Sequence, residues 1–155
     1  MYIRKLLDDE YSEVIKLIYD SVHTVCKDDY SKKELDAWAP PSFDFIKFQK
    51  ALSECVNLVA LKRNLIVGFI SMEKSGYINR LYTHKDFLRQ GIASSLMKKA
   101  EEWAINHNVY ELSLDSSKTA KGFYIKMGFS ENGVSVTSHR GVIFRNTVMK
   151  KILER

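Results

Sequence analysis

YINRLYTHKDFLRQGIASSLMKKAEEWA, residues Tyr77 to Ala104, decides how this chain folds. Its first seven residues, Tyr77 to Thr83, are rich in β-branched and aromatic side chains and follow Gly76, so they predict a strand entered from a turn. Its last half predicts an amphipathic helix. Ile92, Leu96, Ala100, Trp103 and Ala104 recur at spacings of three and four, while Lys98, Lys99, Glu101 and Glu102 take the other side. Between them Leu88-Arg89-Gln90-Gly91-Ile92-Ala93 falls where the first helical turn begins. That turn leaves backbone N–H groups without partners and carries the positive end of the helix dipole. Gly91 and Ala93 leave the backbone unshielded, and Arg89 adds a charge that can pair with a phosphate. Taken alone, a Gly-x-Ala of this kind serves a turn more often than a ligand.

Working outward, Tyr2 to Leu6 predicts a first strand, with Asp8 or Asp9 capping a helix from about Glu10 to Val25. Ser31 and Glu34 form a capping box for a short helix that ends at Trp38-Ala39-Pro40-Pro41, and Ser42 and Asp44 open another helical stretch. Val56 to Leu61 and Leu65 to Glu73 read as strands joined by the short turn Lys62-Arg63-Asn64. Downstream come a strand over Tyr110 to Leu114 and a helix over Lys118 to Met127 with Gly128 as its C′ residue. A loop over Ser135 to Gly141 and a tail strand through Val142-Ile143-Phe144 and Thr147-Val148-Met149 complete the chain. This is the pattern of one α/β domain over residues 1–155.

Composition is that of a globular protein, 45% hydrophobic and 28% charged, without a membrane-length apolar run or a leader at MYIRKLLDDE. A cytoplasmic, membrane-free location is the expectation. Cys26 and Cys55 form no CxxC or metal-spaced set with the four histidines, so reduced thiols and no metal are expected. The net charge of +5 is interleaved with acids and lacks an aromatic-and-basic recognition element, which argues against nucleic acid and suits a polyphosphate ligand.

The strand–loop–helix unit, together with Lys121-Gly122-Phe123-Tyr124-Ile125-Lys126-Met127-Gly128-Phe129, resembles the GCN5-related N-acetyltransferase (GNAT) family. That family carries a Gln/Arg-x-x-Gly-x-Gly/Ala loop and a later helix with a tyrosine followed by Gly-Phe. Leu88 departs from the first loop position; Gly91 and Ala93 match. The resemblance implies a central mixed, twisted sheet of six or seven strands flanked by helices, with two parallel strands splayed into an acyl-CoA cleft. It implies acetyl-CoA as cosubstrate, held by the backbone of Leu81, Tyr82 and Thr83, by the loop Leu88, Arg89, Gln90, Gly91, Ile92, Ala93 and Ser94, and by Phe123. It implies Tyr124 as general acid to the leaving thiolate; an ordinary core aromatic is the alternative for that position.

The general base is not legible. Glu73 at a strand end and His139 in the predicted loop are the candidates, and Asn79 and Arg80 are polar residues within the central strand. His23, Tyr30 and Trp38 are candidates for the acceptor side. Asp28-Asp29-Tyr30-Ser31, Ala37-Trp38-Ala39-Pro40 and the ending from Arg140-Gly141-Val142 to Met149-Lys150 resemble a subgroup of small bacterial acetyltransferases. Three functions are weighed. One is direct acetyl transfer to a primary amine of a small molecule or peptide, since no cysteine is placed as a nucleophile. The second is an inactive acyl-CoA-binding sensor or interaction module of the same fold, and the third is nucleic-acid binding. The tail strand offers an edge through which a second copy can pair as a homodimer.

Overall fold

The computed structural model describes all residues, 1–155. In chain order they form β1 (Tyr2–Lys5), α1 (Tyr11–Val25), α2 (Lys32–Trp38), α3 (Phe45–Leu52), β2 (Cys55–Lys62), β3 (Leu65–Glu73) and β4 (Tyr77–Thr83). The second half adds α4 (Ile92–Asn106), β5 (Glu111–Ser116), α5 (Lys121–Lys126), β6 (Ser130–His139) and β7 (Val142–Ile152). The strands make one sheet in the order β1-β2-β3-β4-β5-β7-β6, antiparallel except for β4 beside β5. Two apolar clusters cover its faces. On one, α1, α2 and α3 pack over Val59, Ile66, Phe69 and Phe144; on the other, α4 and α5 pack over Ile70, Met72, Ile78, Leu112 and Leu114.

Local signals account for most of the elements. The capping box forms as read, with Glu34 N–H donating to Ser31 Oγ at 3.1 Å and Ser31 N–H to Glu34 Oε1 at 2.8 Å. Arg63 and Asn64 both take positive φ, 50° and 67°, the geometry of a two-residue hairpin turn matched to strand twist. Four expectations need correction. The tail strand β7 is not a sheet edge, because it lies between β5 and β6, and β6 is the edge strand. Neither Asp8 nor Asp9 caps α1; Glu10 stands at the N-cap, its carboxylate gripping the Arg4 guanidinium at 2.8 Å and accepting Leu7 N–H at 2.9 Å. The predicted loop over Ser135 to Gly141 is mostly strand, since β6 runs to His139. The helix predicted over Lys118 to Met127 is shorter at both ends.

The relation between β4 and β5 opens the sheet. They pair only at Tyr77↔Ser113 and Ile78↔Leu114. On its other side β4 pairs Ser71↔Arg80 and then Met72↔Ile78, so Asn79 is an extra residue with no partner, a β-bulge. A bulge bends its strand, and this one falls immediately after the last residue that β5 holds. The closed end of the resulting V is pinned by Gly76, whose N–H donates to Glu73 O at 2.9 Å while its carbonyl accepts Ser113 N–H at 3.1 Å. At φ +99° Gly76 lies where other residues are strained, and a Cβ there would stand 2.4 Å from Glu111 O. Gly76→Ala is therefore expected to destabilise the protein by more than about 2 kcal/mol, combining left-handed strain with a backbone clash, measurable as a lower urea midpoint.

Candidate active site

Beyond Ile78 the inner edge of β4 has no strand against it. His84 N–H donates back to Val67 O on β3 at 2.8 Å, and the two-residue period of a strand therefore turns the Tyr82 backbone to β3 and those of Leu81 and Thr83 to the gap. Unpaired strand backbone facing a cleft is a ready ladder for an extended amide-bearing ligand.

The far end of the gap leads to the start of α4. Gly91 is its N-cap at φ +77°, with no side-chain cap, and a Cβ there would meet nothing within 4 Å. The first bonded amide is Ser95, donating to Gly91 O at 3.0 Å, so the N–H groups of Ile92, Ala93 and Ser94 are free of backbone partners. Leu88, Arg89, Gln90 and Gly91 are exposed around this turn. One cation joins them from another element: Lys62, at the end of β2, donates from Nζ to Gln90 Oε1 at 2.6 Å and lies 5.8 Å from the Phe87 ring centre. An uncapped, sterically open helix start ringed by Arg89 and Lys62 fits a pyrophosphate. No group of three or more His, Cys, Asp or Glu side chains is placed to hold a metal ion.

Tyr124 lies on the α4–α5 face of the sheet. It sits on α5, which ends in a Schellman motif: Phe129 N–H donates to Tyr124 O and Gly128 N–H to Ile125 O, both at 3.0 Å. The accompanying apolar contact is Phe129 against Tyr124 itself, ring centres 5.6 Å apart and edge-on, with Phe123 packed at 5.3 Å. The ring is buried, yet its hydroxyl has no protein partner and, unlike Ser135 Oγ and Thr137 Oγ1, is not sealed from solvent. Burial, reinforced by Tyr82, pushes its pKa well up, so the phenol keeps its proton at any physiological pH.

Tyr82 approaches from the opposite face. Trp38 Nε1–H donates to its hydroxyl at 3.1 Å, and burial raises its pKa to about 12. Trp38 leads an aromatic wall: Tyr30 lies edge-on to it at 5.3 Å, Phe144 at 6.3 Å, and the His139 ring meets Phe144 at 5.5 Å. His139 is a largely exposed strand residue whose pKa is lowered by partial burial and by Arg140, which favours the neutral imidazole. On the same side of β6, Ser135 Oγ and Thr137 Oγ1 are buried without partners.

Leu81 and Thr83 edge the gap; Tyr82, Trp38, Tyr30, Phe144 and His139 are linked on the α1–α3 side of the sheet, and Tyr124 lies on the α4–α5 side. Two candidates lie elsewhere. Glu73 is at the closed end of the V, accepting from Asn79 Nδ2 at 3.0 Å and lining a groove of about 450 Å³ with Lys50, Glu54 and Cys55. A second groove of about 640 Å³, bounded by Lys5, Trp103 and His107, adjoins it, and neither includes a residue of the gap. His23 stacks on Tyr19 at 4.1 Å and bonds through Nε2 to Ala39 O at 2.7 Å, which braces α1 against the end of α2. Sequence reading missed Lys62, Phe144 and the bulge at Asn79. Only the alternation of β6 and β7 could have pointed to Phe144.

The acetyltransferase (GNAT) domain family matches residues 26–153, and the chain belongs to that family. YafP of Escherichia coli K12, described as an uncharacterized N-acetyltransferase, is 28% identical over 151 residues, covering 96% of this chain and 93% of YafP. A GCN5-related N-acetyltransferase from Rhodopseudomonas palustris superposes with a TM-score of 0.94 at 28% identity, covering 98% of this chain and 95% of that one. The PaiA N-acetyltransferase of Thermoplasma acidophilum, solved in complex with coenzyme A, shares the fold at a TM-score of 0.78 and 20% identity, covering 97% and 98%. No helix is long and apolar enough to cross a membrane.

The raised phenol of Tyr82 yields a signed pH dependence. The unfolded chain loses that proton near pH ~10 while the folded chain holds it to about 12, so its contribution is intact below pH ~10 and lost as pH rises through 12. Urea midpoints followed from pH ~8 to ~11 should fall less steeply in Tyr82→Phe than in the wild type. The variant should also be weaker at pH 7 by about 1–3 kcal/mol, because Trp38 Nε1–H loses its acceptor.

Proposed function

We propose that the protein transfers an acetyl group from acetyl-CoA directly to a primary amine of a small molecule or peptide. The observation that carries the proposal is the gap itself, with free strand backbone at Leu81 and Thr83 and an open helix start at Gly91; a Tyr124 hydroxyl without a protein partner on the α4–α5 side supports it. Acetyl-CoA, when bound, supplies a thioester whose acetyl carbon an amine can attack.

The chain's own residues would divide the work. Free amides of Ile92, Ala93 and Ser94, with Lys62 and Arg89, hold the pyrophosphate. Leu81 and Thr83 would pair with the pantetheine amides, and a backbone N–H near Leu81 would be the donor to the thioester oxygen, where negative charge develops. Tyr124 holds its proton on Oη and releases it to the departing sulfur. An acid with a raised pKa stays fully loaded at working pH, though its driving force is smaller than that of an ordinary phenol. On the acceptor side the neutral imidazole of His139, near the aromatic wall, takes up a proton from the amine through water. Glu73 is instead engaged by Asn79 Nδ2 at the closed end of the V.

Tyr124→Phe keeps the ring packing and removes only the proton donor. We expect kcat to fall about 100-fold with acetyl-CoA affinity unchanged, read by thiol release across a panel of amines and by calorimetric titration. Gly91→Val should do the reverse, weakening acetyl-CoA binding at least tenfold by straining and covering the helix start. Full binding with no turnover on any amine would make the protein an acyl-CoA-binding module instead.

A further inference from the structure

The gap has a consequence for how Tyr124 is held. The chain entering α5 leaves the end of β5 at Ser116 and crosses Ser117 to Ala120 before the helix begins at Lys121. Short connections of this kind are usually fixed by their own turn. Here they are also gripped from the far side of the sheet. Tyr30 Oη accepts the Lys118 backbone N–H at 2.9 Å, and Asp29 Oδ2 accepts Thr119 Oγ1–H at 2.7 Å. Lys118 Nζ lies 5.1 Å from the centre of the Tyr30 ring. These residues are about ninety positions apart in sequence. They belong to opposite faces of the sheet, since Cys26 and Tyr30 pack with α1 and α2 whereas Tyr124 packs with α4.

We infer that Tyr30, Asp29 and Thr119 form a latch between the α1–α2 segment and the β5–α5 connection, and that the latch positions Tyr124. The geometry leads from one to the other in a single step. Lys118 and Thr119 precede Ala120, and the Ala120 carbonyl accepts the Tyr124 N–H at 3.2 Å, the first backbone bond of α5. A connection held at Lys118 and Thr119 holds Ala120, and Ala120 holds the turn that carries Tyr124. The same segment continues through Ser31 into α2, which brings Trp38 to the aromatic wall. Acceptor wall and proton donor are thereby set at a fixed separation across the place where the sheet is open. A misplacement of about 1 Å at a reacting centre costs on the order of a hundredfold in rate, so a device fixing this spacing matters more to turnover than to stability. The catalytic consequence rests on the reading of Tyr124 as the acid; the mechanical coupling does not.

Residue-resolved hydrogen exchange of the full chain tests the coupling without any substrate. Tyr30→Phe removes the acceptor of Lys118 N–H and keeps the ring against Trp38 and Phe144. Exchange at Lys118 should rise at least tenfold, and exchange at Tyr124 should rise with it, while the amides of α1 keep their wild-type rates. Thr119→Val should give the same pattern and Thr119→Ser should restore protection, so the inference stays testable if Tyr30→Phe folds poorly. Faster exchange at Lys118 with an unchanged Tyr124 amide would overturn it, reducing both bonds to local turn contacts. Once an amine that turns over is in hand, Tyr30→Phe should lower kcat about tenfold with KM for acetyl-CoA within about twofold. Loss of KM instead would count against positioning. Tyr124→Phe separates the two ideas: full turnover in that variant removes the acid role and leaves the exchange result standing.

Discussion

The loss of pairing between β4 and β5 after Ile78 is the constraint on which the rest depends. A parallel pair in the middle of a sheet ordinarily continues along both strands, because unpaired backbone in a buried sheet costs free energy. Here the bulge at Asn79 turns β4 away just past the last shared pair, while Gly76 holds the strands together behind it. The backbone edge left at Leu81 and Thr83 is a local conflict with good folding that makes sense as a binding surface. Tyr82 packs with the cluster on one face of the opened sheet and Tyr124 with the cluster on the other.

Magnitudes show why binding needs several parts. A helix start contributes about 0.3–1 kcal/mol per interacting charge when exposed, and a net backbone hydrogen bond about 0.5–1.5 kcal/mol. Neither alone secures a flexible cosubstrate. In the proposed binding mode the open turn at Gly91, the cations Arg89 and Lys62, and two strand amides would act along one ligand and do so together. The overall charge of +5 adds steering toward an anion rather than specificity.

The fold was largely legible because its signals are local and redundant. The strand–loop–helix at Tyr77 to Ala104, the Ser31–Glu34 box and the turn at Arg63-Asn64 each specify their geometry within a few residues. The strand β6 was not legible. Ser130 to His139 reads SENGVSVTSH, polar and glycine-bearing, and it forms a strand at the sheet edge because β7 pairs with it across a bulge between Glu131 and Val134. Glu10 took the start of α1 from Asp8 and Asp9 because Arg4, on the neighbouring strand, anchors its carboxylate. The aromatic wall was the least legible as a unit, although Tyr30, Trp38 and His139 could each be named as candidates. Tyr30, Trp38, Phe144 and His139 converge from three parts of the chain, and no spacing in the sequence records that. Glu73 illustrates the opposite hazard: a carboxylate at the end of a central strand looked available, but register assigns it to the closed end.

The most direct measurement is hydrogen exchange at Leu81, Tyr82 and Thr83 with and without saturating acetyl-CoA. If the gap is where the cosubstrate lies, Leu81 and Thr83 become protected on binding, while Tyr82, already bonded to β3, changes little. Binding that leaves Leu81 and Thr83 exchanging at their free rates would contradict the account, because the unpaired edge of β4 would then have no part in holding acetyl-CoA.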